Sequence, residues 1–313
     1  MIRRASPADV TAALAVAGLS VGDGRTSLQK AGDRMSAEES RLRAEAIAGR
    51  LVTQQHDRPS LVAKIAREIA AEIIEGIRQP GNDLNSVELA RHYRTSRTPI
   101  REALMLLEKE GMVDMPPRRR PRVAGLSIKE IRDIYRVRAN LMELIAADIA
   151  RDAASVDIDS LQPMVRTMRI AAKSGDVRTF FWANVDFHER NTELCGNRII
   201  KKIIDSLLLR TLRLRRIGLS QPGRMQKSYT EHERLCRAYA DRDANLAAAL
   251  IRTNHINGLA VLENLYAPRQ AGADRNSVDS SSRGKDLGSH QPRHGRGDPR
   301  NHPRTPLGRL QAP

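Results

Sequence analysis

Aromatic side chains are scarce in this 313-residue chain, with three Phe, five Tyr and one Trp. That scarcity argues against a single-strand nucleic-acid binder, which needs rows of stacking rings. Cysteine is nearly absent, and Cys195 and Cys236 supply no disulfide framework, which fits a reducing cytoplasm. No run approaches the length of a bilayer span. The Ala/Val stretch from Val10 to Leu19 follows two arginines but is short and weakly apolar for a secretory signal. A soluble, cytoplasmic protein without a membrane partner is expected. Acidic residues are outnumbered by basic ones, 37 to 53, for a formal net charge of +16. Such a balance favours a polyanionic partner without proving one. Within residues 91–122, nine Lys and Arg face four Asp and Glu.

What is present is most informative between Leu89 and Gly111, which reads as the second and third helices of a winged helix-turn-helix. Arg94-Thr95-Ser96 forms the turn, and the Ser96 hydroxyl is expected to cap the following helix. Pro99 falls in the first turn, where a missing N–H costs little. Ile100, Ala103, Leu104 and Leu107 recur at helical spacing and give a buried face. Arg97 and Arg101, four apart, project from the exposed N-terminal end, where a recognition helix meets base edges. Upstream, Leu61, Ile65, Ile69, Ile73, Ile74 and Ile77 make a first helix that Pro80-Gly81 ends. Asn85-x-x-Glu88 is a capping-box pattern for the second, and Gly111 suits the end of the third. Met112–Met115 and Arg122–Ala124 can pair as a two-stranded wing around a tip at Pro116 to Pro121.

The remainder is helical in period. The fold class is therefore mostly α: an N-terminal winged helix-turn-helix at 58–126 and a C-terminal all-α six-helix bundle at 127–267. Ser127-x-x-Glu130 opens a long helix through Ile131, Ile134, Val137, Leu141, Leu144, Ile145 and Ile149. Further helices are expected at 158–172, 177–195, 198–217, 224–240 and 243–266, punctuated by glycines. Residues 1–57 read as a poorly ordered extension with one short helix around Ala37–Leu51. Residues 268–313, rich in Gly, Pro, Ser, Arg and His, read as a disordered basic tail.

These motifs resemble the GntR family of bacterial transcription regulators, and within it the FCD subfamily in its six-helix variant. The likeness rests on Ser96 to Met105, Leu107-Glu108-x-Glu110-Gly111, Ile134-Tyr135-x-Val137-Arg138, Asn184-x-x-Phe187-His188, Glu231-His232 and Asp243-x-x-x-Ala247. The family usually has Gly where Arg94 stands in the turn and at the wing tip where Arg120 is placed. A non-glycine residue in a left-handed conformation costs about 1 kcal/mol.

The resemblance implies DNA contacts from Ser96, Arg97, Thr98 and Arg101, with Arg118, Arg119 and Arg120 adding charge near phosphates. Each of Arg97 and Arg101 can present a fork to guanine O6 and N7. In the bundle it implies an effector site with Arg138 facing inward, together with Asn184, His188, His232 and Asn254. Family members usually carry Asp, His, His and His at the last four positions and hold a divalent metal there. With Asn184 and Asn254 in place of an acid and an imidazole, Zn²⁺ or Ni²⁺ would be held less well. The alternative is a set of buried polar groups bonded to one another and to water. His255, about 100° further round the helix than Asn254, is expected to point elsewhere. Arg138 either pairs a carboxylate effector or an acid on a neighbouring helix; Met142 replaces an acid that often follows in the family. Arg210, Arg213, Arg215 and Arg216 read as a solvated face or dimer surface, with an effector role for one of them as a lesser option.

The expected function is a homodimeric, ligand-responsive regulator on a palindromic double-stranded DNA operator, with a small organic acid as effector. It is not expected to be an enzyme, since no Glu-x-x-His set accompanies the histidines. A nonspecific architectural DNA binder and a helical-bundle metalloenzyme are the alternatives, separable by affinity for random duplexes and by turnover without DNA binding.

Overall fold

In a computed structural model, residues 34–52 and 60–266 are described. Most of the expected N-terminal extension and the expected tail at 268–313 lie outside the described residues. Within the extension, however, helix α1 (Ala37–Val52) is packed against the rest. Ser36 and Glu39 open it reciprocally: the Ser36 N–H donates to Glu39 Oε2 at 2.8 Å and the Glu39 N–H to Ser36 Oγ at 3.1 Å. Ser40, Ala44, Ile47 and Ala48 form its buried face. Small residues let the helix approach closely, and a Cβ on Gly49 would stand 2.6 Å from Arg67 Cδ. The short helix expected around Ala37–Leu51 is thus present, and it is packed against the first domain.

Helix α2 (Leu61–Ile74) is capped by Ser60, whose hydroxyl accepts from the Ala63 N–H, and it buries Ile65, Ile69, Ile73 and Ile74. It ends before Pro80-Gly81. Gly76 takes φ +77° and the Ile77 N–H closes back on the Glu72 carbonyl at 2.8 Å. Ile77, expected in the apolar face, is consequently exposed. In α3 (Ser86–His92) the Asn85 side chain accepts from the Val87 N–H, and Glu88 binds the Asn85 amide instead of its backbone. Only half of the expected capping box forms.

Helix α4 (Arg97–Lys109) buries Ile100, Ala103, Leu104 and Leu107, and Ser96 stands at its N-cap without a side-chain bond. The expected Ser96 cap fails for a local reason: the N3 position is Pro99, which has no N–H to offer. Strands β1 (Val113–Asp114) and β2 (Arg122–Val123) pair antiparallel, Val113 opposite Val123 and Asp114 opposite Arg122. Asp83 bridges to Arg122 along the other edge of β2.

Helix α5 (Ile128–Asp152) carries the expected Ser127/Glu130 capping box. Val137 and Leu144, counted among the apolar residues of that helix, are exposed, because the core-facing stripe runs through Ile134, Arg138, Met142, Ile145 and Ile149. The helix expected at 158–172 is two, α6 (Ser155–Asp159) and α7 (Gln162–Ser174). Pro163 stands in the first turn of α7, where a proline can begin a helix but not continue one. Helices α8 (Val177–Leu194), α9 (Arg198–Leu219), α10 (Arg224–Ala240) and α11 (Ala244–Tyr266) complete the bundle. The long helices α5 and α11 lie against each other, and α10 packs on α7 and α11.

Two elements join the halves. Helix α1 packs on α2, and its Ser40 Oγ donates to Glu75 Oε1 at 2.7 Å. The same oxygen accepts from Trp182 Nε1 of α8 at 2.6 Å, while Arg43 lies over the Trp182 ring. Helix α9 grips the first domain with three arginines three residues apart. Arg210 Nε donates to the Glu110 carbonyl, Arg213 Nη2 to Gln79 Oε1, and Arg216 pairs with Glu75 at 2.6 Å. The basic run expected to be a solvated face or dimer surface is thus largely a domain junction.

Candidate functional site

The first candidate surface is the N-terminal end of α4. Ser96, Arg97, Thr98 and Arg101 are all exposed, and among the described residues neither Arg97 nor Arg101 has an ion-pair or side-chain hydrogen-bond partner. Their shared face follows from i, i+4 spacing on a helix whose opposite face is fixed in the core. Arg94 holds φ +49° in the preceding turn, as expected for a position that favours glycine. In the wing the left-handed residue is Arg118, at φ +58°, and not Arg120. The hairpin register places Arg120 next to β2, where it lies 3.5 Å from Asp83. Arg118, Arg119 and Arg120 are all exposed at the wing tip.

The second is a cavity inside the bundle, bounded by Tyr135, Arg138, Asn184, His188, Arg215, Arg224, Ser228, Asn254, His255 and the glycines Gly218 and Gly258. Five helices contribute to it. His232 stands in its wall beneath Asn184 and His188. Its Nδ1 donates to the Ser228 carbonyl at 2.6 Å, so Nε2 carries the lone pair. That lone pair meets Asn184 Nδ2 at 3.2 Å and His188 Nε2 at 3.3 Å. His255 donates from Nδ1 to the Ile251 carbonyl at 3.0 Å, and its ring lies 5.3 Å from that of His188.

Burial controls the charge of these groups. It pushes His188 well below the ordinary histidine value, helped by Arg215 and the other two imidazoles. It takes His232 down to about 4 and His255 to about 3, with nearby arginines adding to the effect. All three are neutral at pH 7. Burial also lowers Arg138, and takes Arg215 down to about 9 with help from the Arg138 charge.

The three arginines of the cavity differ in their compensation. Arg224 pairs with Glu231 at 3.1 Å and donates to the Asn254 carbonyl. Glu231 also accepts from the Asn254 and Asn257 amides, each at 2.6 Å. Arg138, 2 % exposed, has no acid partner among the described residues, and its buried Nη1 makes no hydrogen bond with any of them. Arg215 donates from Nη2 to Asn184 Oδ1 at 2.7 Å and to the Asn184 carbonyl at 3.2 Å, both neutral acceptors.

Of the expected site residues, the structure brings Arg138, Asn184, His188, His232 and Asn254 together. It also corrects the expectation for His255. The Asn254 amide is drawn to Glu231, and His255 takes the interior position. Arg215, Arg224 and Tyr135 were not singled out for the cavity, although Tyr135 and Glu231 stand within the quoted motifs.

These residues do not fit a resident divalent metal. Asn184 Oδ1, the oxygen that would replace the family's carboxylate, is taken by Arg215, and two guanidiniums with no salt-bridge partner among the described residues, Arg138 and Arg215, already charge the cavity positively. Among the described residues, no three His, Cys, Asp or Glu side chains are disposed to hold a metal ion.

Comparison with known proteins places both halves. Residues 61–123 match the model of bacterial regulatory proteins of the gntR family, and residues 133–257 match the FCD domain. The gluconate operon transcriptional repressor of Bacillus licheniformis is 27 % identical over 227 residues, covering 68 % of this chain and 89 % of that protein. The transcriptional repressor RspR of Escherichia coli K12 is 24 % identical over 226 residues, 71 % of this chain and 96 % of the other. Among solved structures, E. coli McbR/YncC superposes with a TM-score of 0.56 at 20 % identity, covering 67 % of this chain and all of that one. A GntR regulator from Rhodococcus sp. RHA1 gives 0.56 at 18 %, with the same coverage. No described helix is long and apolar enough to cross a membrane. With a winged helix-turn-helix matched on one side of the junction and an FCD domain on the other, the chain belongs to the GntR family of bacterial transcriptional regulators.

Proposed function

We propose that the chain is a homodimeric regulator that reads a palindromic operator with Arg97 and Arg101 and responds to a small organic acid bound in the bundle. The observation that carries this reading is the pair of exposed, unpaired guanidiniums at the free end of α4. Such forks recognise guanine edges, with Ser96 and Thr98 beside them and Arg118, Arg119 and Arg120 near phosphates. Val137 and Leu144, seven apart on α5 and 47 % and 54 % exposed, offer an apolar strip for a second copy. A dimer would set two recognition helices in successive major grooves. The unpaired Arg138 supports the acid effector. The place of action is the bacterial cytoplasm, at the nucleoid.

The test is a gel-shift titration at fixed salt with an operator from upstream of the coding region. Arg97→Ala or Arg101→Ala is expected to abolish specific binding while analytical ultracentrifugation still finds a folded dimer. Unchanged operator affinity refutes the reading, and equal affinity for operator and random duplexes favours an architectural DNA binder instead.

A further inference from the structure

We infer that the bundle cavity is a metal-free site for a compact organic dianion, a dicarboxylate held directly by Arg138 and Arg215. The inference rests on the acid-effector reading above and gives it a charge, a pair of anchors and a metal requirement of zero.

A buried guanidinium without a counter-charge is costly to keep, and proteins pair such groups or use them on ligands. Arg224 is balanced by Glu231. Arg138 and Arg215 are not: among the described residues neither has a salt-bridge partner, no carboxylate bounds the cavity, and Arg138 Nη1 has no acceptor. A smaller cavity on the other side of Arg138, His188 and Arg215 does contain Glu189 and Asp205. Both are committed elsewhere, Glu189 to Arg50 and Asp205 to Lys201. The interior therefore carries two positive charges in excess. A monocarboxylate would cancel one of them, and a dicarboxylate cancels both.

The neighbouring groups suit an anion and not a cation. Arg138 comes from α5 and Arg215 from α9, so the anchors belong to different helices and a ligand with acid groups at both ends can bridge them. Asn184 orients Arg215 by accepting two of its hydrogen bonds. The uncharged His188 turns its Nε2 proton toward the His232 lone pair, which leaves a buried Nδ1 able to accept from a ligand hydroxyl. Where a divalent cation would need its carboxylate ligand, this chain has placed a guanidinium contact. Arg215 supplies the positive charge that a metal would otherwise bring.

The test uses the full chain, dialysed against EDTA, with calorimetric titration of succinate and of butyrate, which has the same carbon count and one acid group. Succinate or its one-carbon-longer homologue glutarate is expected to bind at least tenfold more tightly than butyrate, equally well with and without EDTA. Arg215→Met and Arg138→Met are each expected to bring the dicarboxylate down to the level of butyrate. A second readout needs no ligand: Arg138→Met should leave the melting temperature of the ligand-free protein unchanged or raise it, because it removes an unpaired buried charge. A fall in that temperature overturns the inference by showing that Arg138 is already satisfied structurally. Equal binding of succinate, glutarate and butyrate overturns it as well. So does saturable 1:1 binding of Zn²⁺ alone that His188→Ala or His232→Ala removes. In each of those cases operator binding that still depends on Arg97 and Arg101 leaves the regulator reading standing, whereas its loss of sequence preference fails that reading independently.

Discussion

Replacing Ser40 with Ala removes a single oxygen atom from the place where three helices meet. Ser40 is fully buried; its Oγ accepts from Trp182 Nε1 at 2.6 Å and donates to Glu75 Oε1 at 2.7 Å. Without it the indole N–H has no acceptor in the interior, at a cost of about 1–3 kcal/mol for an unsatisfied buried donor. Glu75 loses one donor but keeps Arg216 at 2.6 Å, so its share is smaller, about 1 kcal/mol. The expected total is about 2–4 kcal/mol. The flanking pairs Arg43–Asp186 and Arg50–Glu189 are partly exposed and contribute little by comparison. The assay is urea unfolding at fixed protein concentration followed by tryptophan emission. Trp182 is the sole tryptophan of the sequence, so the signal comes from the junction itself. Arg43→Ala is the control, with an expected loss below about 1 kcal/mol. A Ser40→Ala protein within about 0.5 kcal/mol of wild type would refute the claim that α1 is tied to both domains through this hydroxyl.

Glu231→Ala strands the buried Arg224 and frees the Asn254 and Asn257 amides, so a loss of about 3–5 kcal/mol is expected in thermal or chemical unfolding. Gly111→Ala combines a left-handed φ of +68° with a Cβ only 2.3 Å from Arg210 Nε, and should cost at least about 1 kcal/mol, read as a lower unfolding midpoint. On acidification, His232 and His255 stay neutral in the folded chain down to about 4 and about 3, while the unfolded chain takes up protons near 6.5. Stability from this source is therefore complete above about pH 6.5 and falls as the pH drops toward 4, by about 3 kcal/mol for His232. His232→Gln should flatten that part of a stability-against-pH curve, and an unchanged slope would count against burial as the cause.

The first domain was legible because its signals agree with one another. Period, turn chemistry and the Gly111 stop all mark α4, and the structure ends it at Lys109. The Ser96 cap was misread for want of one step, that Pro99 occupies the position whose N–H the hydroxyl would have bound. Helix α1 was visible as a helix but not as a packed one. Its buried face consists of Ser40, Ala44, Ile47 and Ala48, and alanine and serine carry little hydrophobic contrast in a sequence. In the bundle, His188 and His232 were readable from their motifs. Arg215 was not, because four arginines within seven residues look alike until three of them are seen to dock on Glu110, Gln79 and Glu75. The exchange of roles between Asn254 and His255 likewise depends on Glu231 of a neighbouring helix, which spacing along α11 alone does not encode.

Arg215 and Arg216 are consecutive, so their side chains leave a rigid helix about 100° apart. One reaches the interior of the bundle, and the other reaches the last residue of α2's cap. A turn of α9 about its own axis cannot reseat the first without prising at the second. The wall of the bundle cavity and the end of the first domain's opening helix are, at this point, one peptide bond apart.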